Sequence, residues 1–162
     1  MPKTKKDKIE KDEIPGETKN SYYSAVGRRK ESIAVVKLFV ANEGEVNIAG
    51  KVVKKGETII NGRPLENYFP MKSHNKIVLE PFRTTNTVGR YAVSAVITGG
   101  GMSGQVGAFI LGVSRALEKV DKEKFRPILK KKNFLTRDAR IKERRKAGFA
   151  QKARATKQSP KR

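Results

Sequence analysis

Positive charge is concentrated at one end of this chain, and this limits what that end can fold into. Residues 122–162 contain seventeen Lys or Arg and three acidic residues, so they carry +14 of the net charge of +21. Beyond Leu135 the apolar residues are sparse and follow neither a helical nor a strand period. Such a segment buries too little hydrocarbon to offset its chain entropy, and its like charges repel one another. We therefore expect an extended basic C-terminal tail, residues 133–162, that orders only against a polyanion.

Nucleic acid is the polyanion that such a tail fits best. The plain alternative is a solvated run of charge that only aids solubility. A membrane surface fits less well, because no apolar face accompanies the positive charge. We therefore predict a nucleic-acid-binding protein.

The rest of the chain has the composition of one folded domain behind a polar extension. Residues 21–121 carry fourteen basic and eight acidic groups, an ordinary balance for a folded domain. Residues 1–20 mix six basic with five acidic groups and contain almost nothing apolar. We predict a disordered N-terminal extension at 1–20, a globular RNA-binding domain at 21–132 and the basic tail at 133–162.

Several classes of protein are excluded by composition. The chain has no cysteine, which removes disulfides, thiolate zinc sites and thiol catalysis. No apolar run reaches transmembrane length, and the N-terminus alternates Lys with acidic residues, unlike a signal or transit peptide. We expect a cytoplasmic protein. His74, the only histidine, has no second histidine or acid pair nearby, so we assign it no metal or catalytic role.

Alternation and β-branched residues predict the strands. An alternating run from Tyr22 and an apolar run at 33–40 predict a hairpin whose connection displays Arg28-Arg29-Lys30. Edge-strand protection is one use of this cluster, and phosphate contact is the use we favour beside a basic tail. Short β-like pieces separated by glycines over 43–62 predict hairpin turns on a sheet edge. Residues 88–98 are apolar on both faces, as in the central strand of a sheet.

Apolar spacing predicts the helices. Pro64 stands where a short helix can start, residues 73–79 form a weaker candidate ended by Pro81, and a short helix around Pro127 covers the last patch of core. The strongest helix follows residue 105. Its apolar stripe has spacings of 4, 3, 4 and 3 and consists of Val106, Ile110, Val113, Leu117 and Val120. Small residues within it allow close approach to a sheet, namely Gly107, Ala108 and Gly112.

A glycine-rich turn, residues 99–105, lies between the central strand and the strongest helix. Free N–H groups and the helix dipole at such a turn can hold a phosphate. A Walker loop is excluded, because Gln105 and Val106 follow Gly104 where Lys and Ser or Thr are needed. The letters match a dinucleotide fingerprint, but the βαβ context is missing. Three uses stay open: a tight positive-φ turn, contact with an RNA backbone, and a small-molecule phosphate.

Several motifs together resemble one known family. Residues 99–105 (GGGMSGQ), 112–117 (GVSRAL), 134–140 (FLTRDAR) and 143–148 (ERRKAG) occur in this order before a terminal Lys161-Arg162. Residues 23–32 (YSAVGRRKES) and 61–69 (NGRPLENYF) precede them. This combination closely resembles the bacterial-type small-subunit ribosomal protein nine family, over roughly residues 22–162. Residues 42–60 are longer than that family's usual connection, by what we expect to be an extra hairpin, and Thr156, Lys157, Ser159 and Pro160 replace arginines and an aromatic.

The resemblance implies a fold, partners and site residues. The fold would be an α+β two-layer sandwich, with a mainly antiparallel four-stranded sheet packed on helices and a left-handed βαβ crossover. The partners would be ribosomal RNA in the head of the small subunit, neighbouring head proteins and the peptidyl-site transfer RNA, with no cofactor and no metal. Lys161 and Arg162 would contact the transfer RNA. The expected ribosomal-RNA contacts are Arg28, Arg29, Lys30, Gly100, Ser103, Gln105, Arg115, Lys131, Arg137, Arg140, Arg144, Arg145, Lys146, Lys152 and Arg154.

Two other functions share part of this pattern. An enzyme of the related kinase-like fold would use residues 99–105 for a nucleotide phosphate, although the sequence offers it no convincing acid, base or metal-ligand set. A nucleic-acid chaperone acting away from the ribosome would use the same positive charge. We predict a structural, non-enzymatic role in translation.

Overall fold

The computed structural model describes residues 22–40, 45–48 and 51–155. The predicted N-terminal extension and the terminal pair Lys161 and Arg162 lie outside these residues. No helix in the described part of the chain is long and apolar enough to cross a membrane. The strands are β1 (Tyr22–Arg29), β2 (Ser32–Val40), β3 (Glu45–Ile48), β4 (Lys51–Lys54), β5 (Thr58–Ile60), β6 (Arg63–Pro64) and β7 (Tyr91–Thr98). The helices are α1 (Leu65–Tyr68), α2 (Lys72–Val78), α3 (Glu80–Thr84), α4 (Met102–Val120) and α5 (Lys122–Lys131).

The main sheet is mixed and lies beneath the long helix α4. Its order is β1-β2-β7-β5-β6, with three antiparallel pairings and one parallel pairing between β5 and β7. The predicted hairpin is confirmed, because β1 pairs with β2 from Tyr22↔Phe39 to Arg29↔Ser32. The predicted central strand is also confirmed, since β7 lies between β2 and β5. The protein therefore combines helices and a sheet in an α+β arrangement.

The region between β2 and α1 differs from the expected set of edge hairpins. β3 and β4 do pair, but they form a separate two-stranded sheet. Val46 and Val53 from this small sheet pack with Phe39 and Ala92, which lie on the face of the main sheet opposite the helices. β5 instead lies inside the main sheet, parallel to β7, so it is not an edge hairpin. The described main sheet has five strands and not the predicted four, because the two-residue β6 also pairs with β5. The left-handed sense of the crossover from β5 to β7 stays a prediction.

Small residues bring α4 into backbone contact with the sheet. A Cβ built on Gly27 of β1 would lie 1.9 Å from the carbonyl oxygen of Ala108 and 2.4 Å from the backbone nitrogen of Gly112. A Cβ on Gly112 would lie 2.8 Å from Cγ2 of Val36. The predicted close approach of this helix is therefore confirmed. It depends on glycines of the strand and of the helix alike.

The main core lies between the sheet and the helices. Alternate residues of β2 and β7 point into it, together with the inner face of α4. The buried face of α4 is broader than the predicted stripe, because Phe109 is fully buried whereas Ile110 is only partly buried. α4 also begins at Met102, four residues before the predicted stripe starts. Pro81 does not simply end α2: it stands in the first turn of α3.

The chain after α4 first closes the core and then leaves it. Asp121 caps α5 by accepting a hydrogen bond from the backbone N–H of Lys124 (3.1 Å). Leu129 is fully buried, as predicted for this helix, whereas Ile128 is exposed. Phe134 and Leu135 pack against the core from the turn that follows. Residues 132–155 form no helix or strand.

Candidate nucleic-acid interface

The Arg28-Arg29-Lys30 cluster is divided between the two faces of the sheet. Arg28 and Arg29 are neighbours in β1, so their side chains point to opposite sides. Arg29 lies over α4, where a Cβ built on Gly107 would come within 2.2 Å of its Cδ. Lys30 forms the exposed turn with a φ of +51°. Only Arg28 and Lys30 therefore lie fully at the surface.

Arg29 joins the domain to the C-terminal segment. Its Nη2 donates to Oδ2 of Asp138 at 3.1 Å, across 109 positions of sequence. Arg140 binds the same carboxylate twice, through Nε (2.9 Å) and Nη2 (2.7 Å), and its backbone N–H donates to Oδ1. The hydrogen bonds from Arg140, with a smaller contribution from the charge of Arg29, hold the pKa of Asp138 far below its usual range. One carboxylate thus holds two of the predicted RNA contacts.

A cavity of about 210 Å³ opens beside this ion pair. Nε of Arg29 is buried there without a hydrogen-bond partner among the described residues. The cavity has both polar and apolar walls. It is lined by Arg28, Arg29, Gly107, Ile110, Leu111, Asn133, Phe134, Thr136 and Asp138.

A second carboxylate closes a loop farther along the C-terminal segment. Glu143 accepts hydrogen bonds from Nε (2.8 Å) and Nη2 of Arg154. The hydrogen bonding lowers the pKa of Glu143 below its ordinary value. Inside this loop the Lys146 N–H donates to the Lys152 carbonyl (3.1 Å), and the Lys152 N–H donates to the Phe149 carbonyl (2.9 Å). The basic segment therefore contains a defined turn between its two arms. This differs from the prediction of a tail that is extended throughout.

Most of the predicted tail cations are exposed. Arg140 and Arg154 are engaged with the two carboxylates, although each guanidinium keeps further N–H donors. The exposed predicted cations of this segment are Arg137, Arg140, Arg144, Arg145, Lys146, Lys152 and Arg154, and Lys131 at the end of α5 is exposed as well. The positions of these cations are compatible with phosphate contact, which stays a prediction.

The glycine turn is shorter than expected and tightly packed. Gly99 and Gly100 have φ values of +71° and +61°, and a Cβ on Gly100 would lie 2.1 Å from Oγ of Ser32. Ser32 Oγ and Gln105 Nε2 both donate to the Gly99 carbonyl, at 3.1 and 3.2 Å. The positive φ and the tight packing therefore account for these two glycines by themselves.

Polar groups of the glycine-rich turn that could hold a phosphate are partly used in hydrogen bonds within the protein. Gln105 also accepts a hydrogen bond from the Tyr68 hydroxyl at 3.1 Å, so its amide is used inside the fold. Ser103 is exposed at the start of α4. Gly101 precedes the helix without a side-chain cap, and only at Gln105 does the intrahelical ladder begin, with a bond from its N–H to the Gly101 carbonyl. RNA contact by Gly100, Ser103 and Gln105 stays a prediction.

Two cations of α4 bind the edge of the sheet. Nη1 of Arg115 donates to the Val26 carbonyl at 2.9 Å, and Nζ of Lys119 donates to the Ser24 carbonyl at 2.6 Å. β1 is an edge strand, so these bonds satisfy carbonyls that another chain could otherwise pair with. Arg115, predicted as an RNA contact, therefore has a structural partner. The sequence places Arg115 and Lys119 on one helix face, four residues apart, but does not indicate their target.

The described residues contain no candidate metal site. They contain no group of three or more His, Asp or Glu side chains able to hold a metal ion. His74 lies in α2 with its ring edge-on to Phe69, at a centroid distance of 6.2 Å. It belongs to the packing around α1 and α2.

Comparison with known proteins assigns the family. The family model described as ribosomal protein S9/S16 matches residues 27–162. Small ribosomal subunit protein uS9 of Cutibacterium acnes is 50% identical over 139 residues, which are 86% of this chain and 72% of that protein. The proteins of the same name from Leifsonia xyli and an Arthrobacter species are 48% and 49% identical, over 86% of this chain and 74% of each relative. The resemblance in the sequence motifs is thereby confirmed, and the chain belongs to the ribosomal protein S9/S16 family.

Proposed function

We propose that this protein is a structural constituent of the small ribosomal subunit and acts by binding, without catalysis. The observation that carries the proposal is the combination of family membership with the positive charge concentrated in residues 122–162. It binds ribosomal RNA in the head of the subunit, beside neighbouring ribosomal proteins. Its location is the cytoplasmic ribosome, and it needs no cofactor.

The folded domain and the tail contribute differently to this binding. The domain supplies shape and a few fixed cations, whereas the tail neutralises phosphates and releases their counterions. If about ten tail cations reach phosphates, the logarithm of the binding constant falls with the logarithm of the salt concentration with a slope of about −7 to −9. Arginine suits this task because its planar guanidinium binds phosphate bidentately and stacks on bases.

Exposure and ion pairing rank the candidate contacts within the described residues. Seven of the predicted cations are exposed and form no ion pair with another described residue. They are Arg28, Lys30, Lys131, Arg137, Arg144, Arg145 and Lys152. Arg29, Arg115, Arg140 and Arg154 already have partners inside the protein and contribute with their remaining donors. Lys146 is exposed near the Glu143 carboxylate and completes the basic surface.

The end of the tail reaches the peptidyl-site transfer RNA. Lys161 and Arg162 contact its anticodon stem-loop backbone and position it without reading sequence. Removing these two residues should weaken transfer-RNA binding in the peptidyl site modestly and leave subunit assembly intact. Filter binding of transfer RNA to purified subunits measures this, with wild-type subunits as the control. Unchanged affinity would contradict this part of the proposal.

The location of the protein in cells tests the function itself. A tagged copy is followed through a sucrose gradient of a cell lysate, at low and at moderate salt. Co-migration with the small subunit that persists at moderate salt supports the structural role. A protein that stays at the top of the gradient, or leaves the subunit as soon as the salt rises, would instead favour a nucleic-acid chaperone that acts away from the ribosome.

A further inference from the structure

We propose that the two carboxylates of the basic segment, Asp138 and Glu143, preorganise it for structured RNA. This inference rests on the proposed function. Asp138 fixes the segment's starting point on the domain, and Glu143 closes a loop that presents cations in a fixed arrangement. Both carboxylates therefore increase the affinity for structured RNA, although each one lowers the net positive charge of the segment by one.

The first observation is the anchor at Asp138. This carboxylate joins Arg29 of β1 to Arg140 in the C-terminal segment. Phe134 and Leu135 pack on the core just before it. The segment is thus held by apolar contacts and then by an ion pair, a few residues apart. Contacts within the protein therefore fix the direction in which the segment leaves the domain.

The second observation is the loop closed by Glu143 and Arg154. The two residues are eleven positions apart and form a two-point contact, which fixes orientation as well as distance. Gly148, Ala150 and Gln151 have φ values of +79°, +48° and +61°, so the chain reverses sharply at the tip of the loop. Arg144, Arg145, Lys146 and Lys152 are exposed on the loop. Arg154 uses Nε and Nη2 for the carboxylate and keeps Nη1 for a further acceptor.

The placement of the acids argues against a plain polycation. Residues 133–155 contain two acidic side chains, and both bind arginines. If the segment attracted RNA only by net charge, each carboxylate would lower affinity. A flexible segment must also lose conformational freedom when it binds, and a loop closed in advance loses less. Attraction by net charge predicts that removing a carboxylate strengthens RNA binding, whereas preorganisation predicts that it weakens binding. A single substitution can therefore distinguish the two.

The decisive substitution is Glu143→Gln in the full chain. It raises the net charge by one and removes the ionic partner of Arg154. Glu123→Gln is the matched control, because Glu123 is exposed in the first turn of α5 and forms no ion pair with another described residue. The RNA probes are a transcript of the head domain of small-subunit ribosomal RNA and unstructured poly(U). Affinities are measured for both probes at one fixed salt concentration.

Preorganisation predicts a divergence between the two RNA probes. Glu143→Gln should weaken binding to the head transcript by about three- to tenfold, which corresponds to losing about one ordered side-chain contact. Its binding to poly(U) should stay the same or tighten. Glu123→Gln should leave both affinities unchanged or slightly tighter. Asp138→Asn should behave like Glu143→Gln.

A charge swap and the wild-type comparison complete the test. The double variant Glu143→Arg with Arg154→Glu keeps the net charge and can reform the pair, so it should recover most of the lost affinity. Circular dichroism shows whether each variant keeps the folded domain. Head-transcript binding by Glu143→Gln that equals or exceeds wild type would overturn the inference and leave the proposed function standing. A wild-type protein that prefers poly(U) to the head transcript would overturn the proposed function itself.

Discussion

Replacing Gly27 with alanine tests the contact on which the fold depends. Gly27 lies in β1 beneath α4, where the added methyl would stand 1.9 Å from the Ala108 carbonyl oxygen and 2.4 Å from the Gly112 nitrogen. Both neighbours are backbone atoms of a nineteen-residue helix, so neither can turn aside as a flexible side chain would. The helix must therefore move away from the sheet or the strand must shift.

The size of the effect follows from the gap that must open. An ordinary contact needs about 3.4 Å, so α4 and β1 would have to separate by about 1.5 Å at this point. Overfilling a well-packed core costs about 1–3 kcal/mol and occasionally more. Because the clash here involves backbone, we expect the free energy of unfolding to fall by about 3 kcal/mol. A loss of that size lowers the melting temperature by roughly 9–13 °C, since the entropy of unfolding is about 2.1 cal/mol/K per residue for a domain of roughly 110–160 residues.

Gly101→Ala is the matched control for this substitution. Gly101 precedes α4, and a Cβ placed there meets nothing within 4 Å. Gly101→Ala should lower the free energy of unfolding by about 1 kcal/mol or less, because its only effect is that alanine is a poorer helix N-cap than glycine. Urea unfolding of both full-length variants, followed by circular dichroism, gives the two free energies. Equal stability of the two variants would refute the close approach of α4 to β1.

Two further predictions concern a loop and the two tail carboxylates. Asn61 has a φ of +49°. Its Nδ2 donates a hydrogen bond to the Ile97 carbonyl (2.8 Å), and its side-chain oxygen accepts one from the Ile97 N–H (2.9 Å). Asn61→Ala should therefore lower the free energy of unfolding, measured in urea, by about 2 kcal/mol. Asn61→Gly, which tolerates the positive φ, should cost less, and the reverse order would contradict the strain argument. Asp138 and Glu143 have pKa values below their ordinary 3.8 and 4.5, so their ion pairs should persist from neutral pH down through 4.5 and break only in stronger acid. Carboxyl-carbon NMR shifts recorded against pH measure both groups, and midpoints at or above the ordinary values would show that the pairs do not form.

Local sequence patterns were enough to predict most of the elements. The alternation from Tyr22 predicted β1, because burial of one face of a strand leaves a period of two. The continuous apolar run at 88–98 predicted β7, because a strand in the middle of a sheet is covered on both faces. The apolar stripe likewise predicted α4. Its first turn was missed because residues 99–105 are rich in glycine and were interpreted as a turn, although Met102 lies four residues before Val106 and continues the stripe.

Pairing between distant segments could not be read in the same way. The parallel partner of β7 is the three-residue β5, whose short apolar pattern fits an edge hairpin equally well. The separate sheet of β3 and β4 follows from Val46 and Val53 covering Phe39 and Ala92, a contact between distant positions that no local period encodes. The hairpin of β3 and β4 itself was predictable from the short β-like pieces that glycines separate.

The candidate interface was predicted as a set of cations but not as an arrangement. The sequence identifies Arg140 and Arg154 as basic, but it does not say that they bind Asp138 and Glu143. Arg29 and Asp138 lie 109 positions apart in the sequence. Their pairing therefore depends on the fold, which places residue 138 beside β1. A single acidic residue inside a basic run is the one available signal, since such a residue lowers the attraction for RNA unless it has a structural task.

The salt dependence of RNA binding tests the central claim, that the C-terminal segment neutralises the phosphates. One full-length variant replaces with Gln four exposed cations of the C-terminal segment: Arg144, Arg145, Lys146 and Lys152. Its control replaces with Gln four exposed lysines of the domain: Lys54, Lys55, Lys72 and Lys76. Both variants lose four charges. The account predicts that the salt slope for the head transcript becomes shallower by about 3 in the first variant and by about zero in the control. Equal slopes in the two variants would contradict it.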